Sequence, residues 1–309
     1  MRLSSPATLC VLIALLAIAQ PASGQDADEA PEIVVELIEP GSAPRRVVRF
    51  TPQVGDKQTA EMIIDMQQKV SLGGAPMPSQ AIPPQKMTME IQVTDITAED
   101  NIRFEFQYTD MKVVDDPNNP SPIAETMEKM LAPMIGATGR GIVTNRGLTQ
   151  QGELDIPAGL NPQIKQMLEG MKDAMNRLSS PLPIEAIGQG AKWRVIQNLE
   201  ANGMKLTQTS THEITSMTGD GFEMSVSVSQ NADPQEIQNP MLPAGTTLKL
   251  DSLKSSGSGT TKIEESSIFP IASEVSINTV ANMSIDVAGQ NQKMQTDIQM
   301  GMKLNQVGE

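Results

Sequence analysis

Long stretches of the chain alternate between apolar and polar residues with a period of two. The alternation is clearest in residues 87–96 (MTMEIQVTDI), 102–114 (IRFEFQYTDMKVV), 222–229 (FEMSVSVS), 247–253 (TLKLDSL) and 273–287 (SEVSINTVANMSIDV). This pattern is typical of half-buried strands, which have one face on a core and the other in water. We therefore expect about a dozen strands along the chain.

Turn-forming residues separate the alternating stretches. They lie at 99–101 (EDN), 202–203 (NG), 219–221 (GDG), 257–259 (GSG) and 289–291 (GQN). Gly, Asn and Asp favour turns because they tolerate backbone conformations that other residues avoid. Strands joined by such short connections predict antiparallel meanders.

Two segments in the middle of the chain have helical spacing instead. Ser121-Pro122 opens the first and Asn161-Pro162 opens the second, each pairing an N-cap residue with proline at the first helical position. Pro133 is expected to end or kink the first helix, and the second is expected to stop at residues 179–181 (SSP). Between them, residues 141–152 (GIVTNRGLTQQG) predict a hairpin that turns at 145–147.

The two halves of the chain resemble each other. Residues 93–106 (VTDITAEDNIRFEF) align with 211–224 (THEITSMTGDGFEM), and VGDK at 54–57 aligns with QGAK at 189–192. The difference in offset is accommodated by the long loop at 71–85, where an insertion has a small entropic cost. A duplicated β-meander is therefore our interpretation of the chain.

These patterns together predict a mainly β fold with two inserted helices, of the α+β class. We expect a curved antiparallel sheet or half-barrel built from duplicated meanders, with the helices packed on its concave face. The predicted organisation is a signal peptide at 1–24, an acidic tail and possible first strand at 25–44, a first half with both helices at 45–180, and a second half at 181–309.

The first residues, MRLSSPATLCVLIALLAIAQPASGQ, predict export. One positive charge at Arg2, an apolar run at 9–19 and small residues at Ala22 and Gly24 are typical of a secretory signal peptide. The apolar run is shorter than the roughly 20 residues that a transmembrane helix needs, and no later segment is comparable, so we predict a periplasmic or extracellular protein without a transmembrane segment.

Composition excludes several classes of function. The only cysteine, Cys10, lies in the predicted signal, so the mature chain has no disulfide and no thiolate nucleophile. The formal charge of -14 makes nucleic acid a poor partner, because phosphate backbones repel an acidic protein. A single histidine, His212, cannot supply the several His or Cys ligands that zinc, copper or non-haem iron needs. We predict no cofactor.

Other chemical signals are weak. Asp115 and Asp116 lie in VVDDPNNP (113–120), whose oxygen ligands suit calcium, although the segment also reads as a turn before the first helix. The glycines of IGQGAKW (187–193) are expected to form a tight turn leading into a strand, with Trp193 as a core anchor. A hydrolase would depend on His212 as its base, and no Gly-x-Ser-x-Gly motif is present, so no catalytic residue is predicted.

Methionine is the most unusual feature of the composition, with 21 in 309 residues against only five phenylalanines, one tyrosine and one tryptophan. Its unbranched, polarizable side chain fills irregular cores and also adapts to varied apolar ligands. Core filling and ligand lining are both open. If the helices line a site, the lining residues are Met127, Met130, Leu131, Met134, Met167, Met171 and Met175.

The Leu-Pro followed by Gly-Gln-Gly-Ala-Lys-Trp at 182–193, and the strand near Thr144 to Gly147 (TNRG), resemble motifs of an uncharacterised family of secreted bacterial proteins over most of 45–305. The layout is similar to the curved half-barrels of periplasmic lipoprotein and lipid carriers, which hold acyl chains between sheet and helices. The resemblance implies a non-catalytic binding protein for a lipid or other hydrophobic molecule. The alternatives are a structural or adaptor protein of the cell envelope and, third, a hydrolase.

Overall fold

The structure is a computed structural model that describes residues 33–78, 81–115, 118, 121–156, 165, 168–169, 172, 181–201, 204–237, 246–287 and 290–308. The predicted signal peptide lies outside these residues. The strands are β1 (Ile33–Glu39), β2 (Lys57–Leu72), β3 (Ala75–Pro76), β4 (Gln85–Ile96), β5 (Asn101–Val113), β6 (Thr138–Thr144), β7 (Thr149–Leu154), β8 (Lys192–Ala201), β9 (Met204–Met217), β10 (Gly221–Ala232), β11 (Gln235–Ile237), β12 (Thr246–Glu264), β13 (Ala272–Val287) and β14 (Gln290–Val307). One α-helix, α1 (Ala124–Leu131), continues into a 3-10 turn at Ala132–Met134.

All the strands belong to one open, curved, antiparallel sheet, as the alternation predicted. Their order is β1-β8-β9-β10-β12-β13-β14-β2-β4-β5-β6-β7, with β11 beside β12 and β3 beside β2. Each half of the chain runs as a meander, and the last strand of the second half, β14, pairs with β2 of the first half. The chain therefore forms one continuous sheet, and the proposed duplication remains a prediction.

One face of this sheet carries most of the buried hydrophobic residues of the strands on its main path. Residues directly opposite each other in an antiparallel pair project from the same face, so the register follows that face from strand to strand. It runs, for example, from Trp193 on β8 through His212 to Val226 on β10. We call it the inner face, and three separate clusters cover parts of it.

The helix cluster lies under α1 at the β5 side of the sheet. Phe104, Phe106 and Tyr108 of β5 form its centre, with the rings of Phe106 and Tyr108 in edge contact. Burial raises the pKa of Tyr108 to about 12. Gly139 and Gly141 on β6 lie under the rings of Phe106 and Phe104, where a Cβ atom would come within 2.3 and 2.5 Å of ring carbons. The aromatic rings therefore replace side chains on β6.

The tryptophan cluster covers the opposite side of the sheet. Trp193, Val195, Ile214 and Phe222 project from β8, β9 and β10 and are at most 3% exposed. Segments outside the sheet complete this cluster with Val48, Leu182 and Ile187. The distal cluster lies at the other end of the strands and contains Met204, Ile237, Leu248, Leu250, Leu253, Ala281, Met283 and Met294.

Two closing segments, residues 40–51 and 182–191, cover one end of the inner face. Their backbones pair with each other, as Arg46 and Ile187 exchange hydrogen bonds of 3.0 and 2.9 Å. They also reach the β6–β7 turn, where Phe50 N–H donates to Asn145 O (2.8 Å) and Leu182 N–H donates to Arg146 O (2.9 Å). The closing segments thus connect the two edge regions of the open sheet at this end.

The structure corrects one predicted turn. Gly257-Ser258-Gly259 lies within β12, which continues in unbroken pairing with β13 through these residues. The glycines are required by packing instead of by a turn. A Cβ on Gly257 would lie 2.7 Å from Ile277 Cγ1, and one on Gly259 would lie 2.8 Å from Val275 Cγ2.

The helical predictions are partly corrected as well. The first helix begins at Ala124, later than Ser121-Pro122, and no side chain caps it. The α-helix ends at Leu131, just before the proline at 133 that was expected to end it. Of the second predicted helix, Lys165, Leu168, Glu169 and Lys172 are helical, and Leu168 is fully buried in the helix cluster.

Candidate functional site

A band of apolar side chains crosses the middle of the inner face. Cross-strand register places Val226 and Val228 of β10 beside β12, then Val275 and Ile277 of β13, then methionines of β14 and β2. We define the apolar band as Ile64, Met66, Val226, Val228, Val275, Ile277, Met300 and Met302. Met66 is 6% exposed and the other seven are half-buried. The band belongs to none of the three clusters defined by the described residues.

The glycines of β12 shape the floor of this band. Gly257 lies between Val228 and Ile277, and Gly259 lies between Val226 and Val275. With no Cβ at these positions, the valine and isoleucine side chains of β13 lean over β12. This leaning is what a sheet bent toward its inner face produces, because bending brings inner-face side chains closer together.

A row of uncharged polar side chains runs beside the apolar band, one inner-face position farther along each strand. We define this polar belt as Gln68, Gln197, Gln208, Gln230, Ser255 and Thr279, which follow one another in register except for Ile298 between Thr279 and Gln68. Gln230 Nε2 donates to Gln208 Oε1 (2.7 Å), and Ser255 and Thr279 share a hydroxyl hydrogen bond of 2.5 Å. The belt separates the apolar band from the distal cluster.

Charge is divided sharply between the two faces. Across the described strands of the main path, the register places no Asp, Glu, Lys or Arg on the inner face. Cross-strand ion pairs such as Lys262–Glu223 (3.9 Å), Lys303–Glu274 (3.7 Å) and Arg194–Glu36 (3.5 Å) lie on the outer face. The charged side chains of these described strands therefore lie on the outer face.

The one titratable imidazole on the inner face is deeply buried. His212 is 1% exposed and stacks on Trp193, with ring centroids 5.0 Å apart. Neither imidazole nitrogen has a hydrogen-bond partner among the described residues, and burial lowers the pKa of His212 to about 4. The ring is therefore neutral near pH 7. No hydroxyl or carboxylate in the described part of the chain bonds to it, so it lacks the hydrogen bonds of a serine hydrolase base.

The residues predicted to line a site from the helices have different environments. Met134 is 2% exposed and is buried in the helix cluster, Leu131 packs against the same cluster, and Met127 is half-buried. Met130, another of the lining residues predicted from the sequence, is 42% exposed. The positions Met167, Met171 and Met175 lie outside the described residues.

The calcium prediction finds little support in the described residues. Asp115 accepts a hydrogen bond from the Ser121 N–H (2.9 Å), so its carboxylate closes the turn before α1. Asp116 lies outside the described residues. Within the part of the chain that is described, no three acidic, His or Cys side chains come close enough to hold a metal ion.

A shallow groove of about 600 Å³ lies on the outer face over β9, β10, β12 and β13. Hydroxyl groups form most of its lining, and two carboxylates, Glu213 and Glu274, stand at its sides. It is open to solvent and carries negative charge. Such a surface is a solvated sheet face, which distinguishes it from the uncharged inner face.

The strand methionines were the part of the site that sequence reasoning missed. Met66, Met300 and Met302 belong to the apolar band, and Met62, Met87 and Met89 occupy inner-face positions beside it. Their spacing of two or four residues within alternating stretches was the available signal. Methionine at helical spacing in 125–134 and 164–178 indicated the helices instead.

Comparison with protein-family models found no match, and comparison with curated proteins found no significant match. The resemblance to secreted β-rich proteins and lipid carriers therefore remains a prediction. Among the described residues, no helix has the length and apolar character required to span a membrane.

Proposed function

We propose that this protein is an exported, non-catalytic carrier that binds a hydrophobic molecule, such as a lipid, on the inner face of its sheet. The observation that carries the proposal is the apolar band. It is a continuous strip of half-buried valine, isoleucine and methionine side chains in the middle of a face whose flanking regions are packed into clusters.

The energetics favour a flexible apolar ligand. Each methylene group removed from water by such a strip contributes about 0.8 kcal/mol, so a long acyl chain needs no charged contact to bind tightly. Met300, Met302 and Met66 adapt their side-chain shape to the ligand, because methionine has three flexible torsions and a polarizable sulfur. Val226, Val275 and Ile277 supply the rigid part of the wall.

The architecture supports the same proposal. The closing segments cover one end of the inner face, and α1 packs on β5, four strands from β13 in the sheet order. The apolar band lies between these covered regions. The N-terminal sequence supports the proposed export, and the apolar band supports the proposed lipid ligand.

The test compares two lysine substitutions on β14. Met300→Lys places a charge in the apolar band, and Gln299→Lys places the same charge on the outer face one residue away. Delipidated protein is titrated with pyrene, whose emission reports transfer into an apolar site. We expect the parent and Gln299→Lys to bind pyrene alike and Met300→Lys to bind it at least about tenfold more weakly.

Met300→Leu is the matched apolar control and is expected to retain binding, since volume and polarity are nearly preserved. Met300→Gln provides an uncharged polar variant if the lysine variant loses the parent's circular dichroism spectrum. Organic extraction of protein purified from its producing cells is expected to release a lipid. No pyrene binding by the parent, or equal binding by Met300→Lys and Gln299→Lys, would contradict the proposal.

A further inference from the structure

The inner face restricts the chemistry of its ligand as well as its hydrophobicity. We infer that the ligand is a long-chain lipid whose polar part is uncharged, with hydroxyl, ester or amide groups that lie on the polar belt while its chain lies on the apolar band. The inference rests on the proposed function and adds the class of ligand.

The described strand positions of the inner face carry no charged side chain. An ionised head group brought onto this face would lose hydration, and none of the described inner-face strand positions offers a counter-charge. His212 does not provide one, because its ring is buried and neutral near pH 7. Burying an unpaired carboxylate or phosphate is strongly unfavourable, so this face discriminates against fatty acids and phospholipids.

The polar belt has hydrogen-bond donors and acceptors that its internal hydrogen bonds do not use. Gln208 and Gln230 are half-buried, and one hydrogen bond between them leaves further donor and acceptor sites on both amides. The neighbouring pair Ser255 and Thr279 also retains acceptor lone pairs beyond its shared bond. Neutral amides and hydroxyls of this kind match the carbonyl and hydroxyl groups of an uncharged lipid.

A third observation is a buried hydroxyl next to the belt. Thr296 lies on β14 one inner-face position beyond Ile298, is 0% exposed, and has an Oγ1 atom without a hydrogen-bond partner among the described residues. Buried hydroxyls are nearly always satisfied in folded proteins. A polar atom of a ligand at the belt would supply the partner that the described protein does not.

The spacing of the two surfaces fits an amphiphile. Successive inner-face positions on a strand are about 7 Å apart, so the belt and the nearer row of the band are separated by roughly the length of a glyceride backbone. Val228 and Gln230 show this relationship on β10, as do Ile277 and Thr279 on β13. The chain of the ligand would then extend across the strands toward Met300.

The experiment measures the binding of three lipids with the same oleoyl chain at pH 8, below their aggregation concentrations: monooleoylglycerol, oleate and oleoyl lysophosphatidylglycerol. We expect monooleoylglycerol to bind at least about tenfold more tightly than either anion. Gln230→Leu, which removes one belt amide, should lower the affinity for monooleoylglycerol about threefold to tenfold relative to the affinity for pyrene.

A variant with a positive charge in the polar belt tests whether the missing counter-charge causes the discrimination against anions. Gln230→Lys should raise the affinity for oleate relative to monooleoylglycerol, whereas Ser229→Lys, on the outer face of the same strand, should not. Oleate binding as tight as that of monooleoylglycerol to the parent would overturn the inference and leave the carrier proposal intact. A preference for monooleoylglycerol that Gln230→Leu does not weaken would overturn the role of the belt. Failure of all three lipids and of pyrene would overturn the carrier proposal itself.

Discussion

The indole of Trp193 stacks on the imidazole of His212 across β8 and β9, with the ring planes inclined by 14°. Both side chains are at most 1% exposed. Neither Trp193 Nε1 nor the imidazole nitrogens have hydrogen-bond partners among the described residues. The two rings are therefore held by packing in the tryptophan cluster. A positive charge on the buried imidazole would have neither water nor a described hydrogen-bond partner to stabilise it.

This environment predicts that His212 destabilises the fold in acid. Burial lowers its pKa in the folded chain to about 4 from 6.5, so the unfolded chain binds the proton more readily. The contribution of neutral His212 to the free energy of unfolding is fully present above about pH 6.5. It decreases as the pH falls from 6.5 through 4, by about 3 kcal/mol in total. Chemical denaturation of the parent and of His212→Phe at several pH values measures the effect.

The difference in unfolding free energy between the two proteins isolates the histidine from the many carboxylates that also titrate in acid. We expect His212→Phe to lose less stability than the parent between pH 6.5 and 4. Parallel pH profiles for the two proteins would show that the imidazole accepts a proton without cost in the folded state.

The orientation of α1 and of the 3-10 turn that follows it predicts different effects for Met130 and Met134. Met134 is 2% exposed in the helix cluster, whereas Met130 is 42% exposed. Met134→Ala is expected to lower the free energy of unfolding by about 2–5 kcal/mol, because it removes a packed side chain and leaves a cavity. Met130→Ala is expected to change it by less than about 0.5 kcal/mol. Similar losses for both variants would contradict this orientation.

The packing of β12 predicts that glycine is required at position 257. A Cβ there would approach Ser276 O at 2.6 Å and Ile277 Cγ1 at 2.7 Å. Gly257→Ala is therefore expected to lower the free energy of unfolding by about 1–3 kcal/mol, as overpacking does.

Gly301 on β14 is the matched control, because an added Cβ would meet no atom within 4 Å. Gly301→Ala should leave stability unchanged or raise it by up to about 1 kcal/mol, since alanine restricts the unfolded chain. Thermal or urea denaturation of both variants gives the comparison. Equal effects of Gly257→Ala and Gly301→Ala would contradict the close packing of β13 over Gly257.

The closing segments are held to the β12–β13 connection by a charged pair. Arg46 Nη1 donates to Glu265 Oε2 (2.8 Å), Nη2 bonds the second carboxylate oxygen, and the Glu265 side chain is only 15% exposed. Glu265→Gln is expected to lower the free energy of unfolding by about 1–2 kcal/mol, because a charge-assisted, two-point contact is weakened.

The exposed pair Arg103–Asp95, at 52% and 51% side-chain exposure, provides the control. Asp95→Asn should change stability by less than about 0.5 kcal/mol, as solvent-exposed ion pairs contribute little. Urea denaturation of both variants at matched salt concentrations distinguishes the two sites. Equal effects would indicate that Glu265 is solvated and that other contacts hold the closing segments.

Local patterns anticipated the secondary structure well. The alternating stretches at 87–96, 222–229 and 273–287 are found within β4, β10 and β13, and the hairpin turn at 145–147 is present with Gly147 in a left-handed conformation. Alternation is a direct consequence of strand geometry, so it is visible without knowledge of the neighbouring strands. The end of α1 just before the proline at 133 has an equally local cause.

The glycines at 257–259 and the burial of His212 show what local patterns do not reveal. The GSG at 257–259 has the composition of a turn, but the side chains that require its glycines come from β13, which lies elsewhere in the sequence. His212 has polar neighbours in sequence, Thr211 and Glu213, but they project to the outer face while the imidazole faces the inner one. Adjacent residues of a strand project to opposite faces of the sheet. Polar residues directly before and after His212 therefore do not indicate that His212 itself is exposed.

The amino-acid sequence determined that this chain is an antiparallel β protein with an inserted helical region, because hydrophobic periodicity and proline act within a few residues. The tertiary structure decided which strands are neighbours, and with them the composition of the inner face. β14 pairs with β2 across more than two hundred residues of sequence, which brings Met300 beside Met66. The apolar band and the polar belt exist only through that register, because each is a row of single residues from different strands.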